Sequence, residues 1–400
     1  MNILFIQHVG LLGGSGRSLY ELVRELKTKL DANFIVVSPP GKIQVLFRQL
    51  GCEIFTVKGL SNFDNNRYSY YTGVRWLILF REVFLIIPTI ILFFRLKRNN
   101  KDISIIHINE ITMPLVGVLA RLFYPNAAII CHARAVQRNN RNIVSRILGC
   151  INNWAYNCVI CIDKHVESSF PYEIKTVTIH NGLPIPKKSK IRRNINKTFT
   201  VGMVGSLNRS KGSHAFLRAA KIIAERNLDV NVKFLVFGAV PRTRKDIIGM
   251  LLSALKLKED LYFESLAYLR DNNLTDFLQF HPYEEDLEKI YDEIDLICFP
   301  SLLDAPGRPI FEAGVYGKPA IASISSPKDD TFLPGQVGLI VEPSDQLALA
   351  NGIEFYVCNP EVYRTHSIRC IEFYQKNFDI KKSANSVVEV YSNYKKIKRL

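Results

Sequence analysis

Two acids, Asp304 and Glu312, stand eight residues apart in Pro300-Ser301-Leu-Leu-Asp304-Ala-Pro-Gly307-Arg308-Pro-Ile-Phe-Glu312. A strand expected over 295–299 runs into this stretch, so one acid falls in a loop and the other early in a helix. Ionised carboxylates accept hydrogen bonds from hydroxyl groups, and the loop amides between them, around Gly307, suit phosphate or hydroxyl oxygens. The pattern fits a polyhydroxyl ligand. Upstream, Gly205-Ser206-Leu-Asn-Arg209-Ser-Lys211-Gly212 lies between an expected strand and an expected helix. Two cations beside a glycine turn at a helix start make a cradle for a diphosphate. A second glycine-rich turn, Gly10-Leu-Leu-Gly13-Gly14-Ser15-Gly16-Arg17, follows the first expected strand, and His132 closes another in Ile130-Cys131-His132-Ala133. Neither glycine turn has the order of a Walker loop or of a strict dinucleotide fingerprint, so ATP hydrolysis and NAD binding are not indicated.

Short apolar runs alternate with helix-length amphipathic ones, the pattern of a parallel sheet wound on both faces. Strands are expected at 2–7, 33–37, 53–57, 103–108, 127–131, 158–162 and 176–179, and again at 199–204, 232–237, 277–280, 295–299, 319–322 and 338–341. Between the two series lies LPIPKKSKIRRNINKT, residues 183–198, with two prolines, six cations and no apolar period. The reading is therefore α/β: one Rossmann-like domain over 1–182, a linker over 183–198, a second Rossmann-like domain over 199–360, and a helical segment over 361–400 that packs back on the first domain. Open α/β sheets bind ligands beyond the carboxyl ends of their strands, where the motifs above fall.

The chain has 400 residues, 48% hydrophobic and 22% charged, which rules out disorder and coiled coil. Its net charge is +15, with +16 in residues 1–200 and −1 in the rest. The basic half points to an anionic partner such as a lipid surface. Nucleic acid is not expected, because no arginine-rich helix with interleaved aromatics, zinc finger or RNP pattern accompanies the charge. Eight sparse cysteines fit a reducing compartment, and Cys158-Val-Ile-Cys161 reads as core strand rather than half a zinc site. The N-terminus shows no secretory signal, so a cytoplasmic protein is expected. Residues 76–94, WLILFREVFLIIPTIILFF, are interrupted by Arg81, Glu82 and Pro88, and read as an interfacial helix that turns Phe84, Leu85 and Phe93 to lipid.

Taken together, these residues resemble the retaining glycosyltransferases of family 4, which have the GT-B fold. Asp304 to Glu312 is similar to that family's Glu-x7-Glu block, and Ala313-Gly-Val-Tyr-Gly317-Lys-Pro, Ile179-His-Asn181-Gly182 and Gly338-Leu-Ile-Val-Glu-Pro-Ser-Asp345 follow its order. The resemblance implies that Glu312 holds the nucleotide's ribose and Asp304 the donor sugar, and that Lys211 meets the diphosphate. It also implies that Arg209 stands in for an arginine missing at Ser206, that His132 lies near the donor sugar, and that the Gly14 backbone approaches phosphate and acceptor. Asp304 is shorter than the family's glutamate, and Pro306 and Arg308 depart from its pattern. The implied activity is transfer of a sugar from a nucleotide-sugar donor to a glycan or lipid-linked acceptor, with retention, on the inner face of the membrane in cell-surface polysaccharide synthesis. No cofactor is expected. No Asp-x-Asp triplet is present, so the donor phosphates are expected to be held without a metal. A nucleotide-sugar epimerase or hydrolase of the same fold, or a non-catalytic nucleotide-sugar-binding partner, are the competing readings.

Overall fold

The computed structural model describes residues 1–67, 77–99, 102–186, 198–226, 228–241 and 261–396. The chain forms two compact units, Met1–Pro184 with Phe378–Leu400, and Ile185–Asn377.

The first unit is built on strands β1 (Asn2–Ile6), β2 (Asn33–Ser38), β3 (Glu53–Thr56), β4 (Ile103–Ile108), β5 (Ala128–Ala133), β6 (Cys158–Cys161) and β7 (Thr176–Thr178). All pair parallel in the order β3-β2-β1-β4-β5-β6-β7. Buried on both faces, such strands read as unbroken apolar runs, as Ile3-Leu4-Phe5-Ile6 does. Its helices are α1 (Gly14–Leu26), α2 (Lys42–Gln49), α3 (Ile78–Phe84), α4 (Ile86–Arg98), α5 (Pro114–Phe123), α6 (Ile143–Ala155) and α7 (Lys164–Glu167). Leu19, Leu22, Val23 and Leu26 of α1 join Ile3 and Phe5 in one core, while Leu92 and Phe93 of α4 and Val116 and Leu119 of α5 join Leu4 and Ile6 in another. Cys158 and Cys161 are buried in these cores, and all eight cysteines are free thiols.

The second unit carries β8 (Thr198–Val204), β9 (Asn231–Phe237), β10 (Leu278–His281), β11 (Leu296–Phe299), β12 (Ala320–Ala322) and β13 (Gly338–Ile340), in the parallel order β10-β9-β8-β11-β12-β13. Helices α8 (Ser213–Ala224), α9 (Tyr262–Asp271), α10 (Leu287–Glu293), α11 (Arg308–Val315), α12 (Gln346–Cys358) and α13 (Pro360–Asn377) pack on it. Phe216, Ala219 and Ile223 of α8 and Ile353 and Tyr356 of α12 cover Phe199, Val201 and Met203 on one face. Helix α11 lies against α13 so closely that a Cβ on Gly314 would sit 1.9 Å from the Tyr374 ring.

Three expectations change. The segment 361–400 is not one piece: α13 stays with the second unit, and α14 (Ile380–Ser392) belongs to the first. Its apolar face, Ala384, Val387, Val388 and Tyr391, enters the core beside α1. The linker starts later than 183, because Leu183 is buried and donates to Phe378 O (2.7 Å) while Ile380 N donates back to Leu183 O (3.0 Å). Gly182 is required there, since a Cβ would lie 2.5 Å from Ile380 Cα. Residues 187–197 of the linker lie outside the described residues.

The run 76–94 is two helices that meet at Leu85; Trp76 lies outside the described residues. Its inner face docks through polar contacts: Glu82 accepts from Asn62 N (2.8 Å), and Thr89 Oγ1 from Ser61 N (2.9 Å). Phe84 is 73% exposed, as expected, but Phe93 is fully buried in the core and Leu85 packs on Gly59. Beside Phe84, the outward residues are Leu77, Phe80, Val83, Ile87, Ile91 and Phe94. Helical period, not composition, decides which side chains face out.

Candidate functional site

In each doubly wound sheet the strand order reverses between two neighbours, β1 and β4 in the first unit and β8 and β11 in the second. The loops leaving those strands diverge and leave a crevice, the usual ligand position in such sheets. Every sequence-assigned site residue falls on a loop or helix start at a strand exit, or, like His132, in the strand next to that reversal.

At the second unit's reversal, Asn208 caps the turn Arg209–Lys211 by accepting from Lys211 N (2.9 Å). Gly212, at φ 74°, lies so close to the neighbouring loop that a Cβ would meet Pro300 O at 1.8 Å. The carbonyl of Ser210 accepts from Leu302 N (2.9 Å) and Ser301 Oγ (3.2 Å). These contacts bind the basic turn to the acidic block. Lys211 Nζ lies 5.4 Å from the centroid of the Phe299 ring, and burial lowers its pKa. Gly307 caps α11 against the same ring: a Cβ there would lie 2.2 Å from Phe299 Cζ. One aromatic ring therefore spaces Lys211 from Gly307.

Glu312, one turn into α11, is 5% exposed. Its Oε1 accepts from Arg308 Nε (2.6 Å) and its Oε2 from Tyr291 Oη (3.2 Å). Two of the four lone-pair sites of the carboxylate are thus used within the unit, and two remain for a ligand's hydroxyls. Arg308, the residue that departs from the family pattern, holds this acid in place.

Asp304 and Arg209 each have a tertiary partner within the unit. Asp304 takes a left-handed backbone (φ 36°), and its Oδ1 accepts from both Ser325 N and Ser325 Oγ at 2.7 Å. The carboxylate ties its loop to the exit of β12. Arg209 is largely exposed and lies 3.9 Å from Glu264 of α9, which also pairs with His214 Nε2 (2.9 Å). This partner lies more than fifty residues along the chain, so no local spacing announces it.

At the first unit's reversal, Gly14 opens α1, and a Cβ there would meet nothing within 4 Å. The helix start therefore borders open space. His132 is 2% exposed on β5. Its Nδ1 lies 3.3 Å from Arg134 Nη2 and 3.3 Å from His107 Nε2, and His107 Nδ1 lies 2.7 Å from Tyr391 Oη of α14. A guanidinium can only donate, so His132 Nδ1 accepts and its Nε2 carries the proton. His107 Nε2 then donates to His132, and Tyr391 donates to His107. Burial, reinforced by Arg134, lowers both histidine pKa values, that of His107 to about 3, so both rings are neutral. His132 Nε2 is buried with no hydrogen-bond partner among the described residues. It is a preset donor, not a base.

Arg134 also donates to Asn109 Oδ1 (2.7 Å) and to Asn181, and Asn109 in turn bonds Gln7 across the β1–β4 reversal. Beside them burial raises the pKa of Glu110 to about 7, against hydrogen bonds from Ile111 N and Arg134 N. Sequence reading missed Gln7, His107, Asn109, Arg134 and Tyr391. The available signal was polar residues ending or interrupting apolar strands, as His107 does in Ile103-Ser-Ile-Ile-His107-Ile. Among the described residues no three of His, Cys, Asp and Glu cluster as metal ligands would.

Residues 185–369 match the family described as Glycosyl transferases group 1. A D-inositol 3-phosphate glycosyltransferase of Corynebacterium urealyticum is 29% identical over 45% of this chain, a stretch spanning 38% of its own length. The UDP-Gal:alpha-D-GlcNAc-diphosphoundecaprenol alpha-1,3-galactosyltransferase of Escherichia coli is 25% identical over 74% of this chain and 76% of its own. Anabaena Alr3699/HepE, crystallised with UDP-glucose, shares the fold with a TM-score of 0.71 over 98% of this chain and 100% of its own, at 18% identity. The Lys211 turn and the Asp304–Glu312 block at the second sheet's reversal both lie within residues 185–369, the stretch that matches the glycosyl transferases group 1 family, and the two Rossmann-like units have the fold of the Anabaena protein.

Proposed function

We propose that the protein transfers a sugar from a nucleotide-sugar donor to a glycan or lipid-linked acceptor in polysaccharide or glycolipid synthesis, retaining the anomeric configuration. The observation that carries this reading is the joining of the Lys211 turn to the Glu312 block through Ser210, which brings a cation and an acid to one strand reversal. There the open sites of the Glu312 carboxylate accept from ribose hydroxyls. Lys211 and the amides of the turn stabilise the nucleoside diphosphate as it leaves, when negative charge on it grows. In this reading protein cations meet that charge without a metal. His132 Nε2–H donates to a sugar oxygen, and with no carboxylate nucleophile assigned, the acceptor attacks on the face the diphosphate leaves. The similar Escherichia coli enzyme, named for a UDP-Gal donor and a diphosphoundecaprenol-linked acceptor, supports this substrate class.

The acceptor side is proposed to work at the inner face of a membrane. The basic first half, the free thiols and the outward apolar residues of α3 and α4 support it. No helix among the described residues is long and apolar enough to cross a bilayer. A thermal-shift panel of UDP, GDP and ADP sugars tests the donor assignment, because a ligand that binds only the folded state raises its apparent stability. The expected result is a shift with one nucleotide series, abolished in Glu312→Gln. No shift with any of them would remove the reading.

A further inference from the structure

A groove of about 560 Å³ opens in the first unit between the exit of β3 and α4. That size lies within the ~300–1,000 Å³ of small-molecule sites. Phe55, Ile87 and Ile91 are among its apolar walls, Lys58 and Arg95 line it as well, and none of its lining residues is acidic. Lys58 and Arg95 are both exposed. Ile87 and Ile91 also belong to the outward apolar face of α3 and α4, so groove and face are continuous. The groove's other wall is Pro40, whose carbonyl lies where a Cβ on Gly10 would be, at 2.2 Å. The groove therefore borders the glycine turn at the strand reversal.

We propose that this groove binds the first hydrocarbon segment of the lipid-linked acceptor, with its phosphate held by Lys58 and Arg95. The proposal rests on the glycosyltransferase reading above. An apolar channel with two cations and no acid is complementary to an amphiphile whose head is anionic and whose body is hydrocarbon. A soluble sugar leaves its walls unused, and a neutral lipid leaves its cations unmet. Continuity with the outward face of α4 gives the chain a path from bilayer to groove, and the Pro40 wall directs the head toward the β1–α1 turn.

The test uses a polyisoprenyl phosphate carrying a benzophenone next to the phosphate, in phosphatidylcholine vesicles, irradiated with the full-length protein and mapped by peptide mass spectrometry. Label is expected on residues 55–58 or 87–95, competed by unlabelled polyisoprenyl phosphate but not by equal phosphatidylglycerol or inorganic phosphate. Lys58→Glu with Arg95→Glu, two exposed changes, should lower labelling at least about tenfold. Ile91→Trp should block it by filling the groove, its melting temperature confirming that it folds. Label elsewhere, or equal competition by phosphatidylglycerol, overturns the proposal, the latter by making the contact one with the membrane surface. The nucleotide-sugar thermal shift is read on the same samples. A shift without groove labelling rejects the groove alone; labelling without a shift upholds the groove as a lipid-phosphate site while the transferase reading falls.

Discussion

Replacing Arg308 by methionine removes one half of an ion pair whose side chains are 15% and 6% exposed, and leaves Glu312 with only the 3.2 Å contact to Tyr291. Breaking a buried pair from one side costs ~3–5 kcal/mol, because an uncompensated charge stays behind. Arg308 reaches some solvent and Glu312 keeps one donor, so the low end, about 3 kcal/mol, applies. For a unit the size of residues 185–377, at ~2–4 °C per kcal/mol, the second unit's melting temperature should fall by about 6–12 °C. Adding Glu312→Gln removes the stranded charge and should recover most of the loss, since eliminating both partners of a buried pair is often near neutral. Scanning calorimetry of wild type, Arg308→Met and the double variant reads this directly. A loss below about 1 kcal/mol in Arg308→Met, or a double variant no more stable than the single one, would refute the claim that Arg308 holds Glu312.

Gly307→Ala would drive a methyl into the Phe299 ring 2.2 Å away, displacing the surface under Lys211; it should lower turnover more than Ser325→Ala, which touches only Asp304, and equal effects would sink the shared-ring account. In wild type, long-range 15N spectra should show His132 and His107 both protonated on Nε2, and Tyr391→Phe should cost about 1 kcal/mol while leaving both tautomers in place, because His132 Nδ1 still accepts from His107 Nε2. A His132 proton on Nδ1 would contradict the network. Glu110 binds its proton more tightly folded than unfolded, so between the ordinary carboxylate pKa near 4.5 and about 7 it makes stability fall as pH rises, by about 1.4 kcal/mol per unit. Denaturant titrations across that window should show Glu110→Gln gaining on wild type at this slope, and a constant difference would rule out the raised pKa.

The strands were legible because each is a short apolar run bounded by polar turns, and both glycine turns fall where the sheets reverse. Asn208 caps Lys211 and Arg308 pairs with Glu312 within one loop or one helical turn, a range that spacing conveys. What spacing does not convey is pairing across the fold. Arg209 meets Glu264, Asp304 meets Ser325 and Tyr391 reaches His107, each through a tertiary contact with no local signature. The late start of the linker has the same origin, since Leu183 is buried only because Phe378 returns to it. The break between α13 and α14 did have a local sign: Asp379 precedes the apolar period of α14 and caps it by accepting from Lys381 N (2.9 Å).

The central claim is most directly tested by release of nucleoside diphosphate from the nucleotide sugar that shifts the melting temperature, with and without a lipid-linked sugar acceptor. Release that depends on the acceptor, falls about 10²-fold or more in Lys211→Ala and yields a product of unchanged anomeric configuration is the predicted result. Release of equal size without acceptor would make the protein a hydrolase, and no release from any UDP, GDP or ADP sugar by folded protein would contradict the account outright.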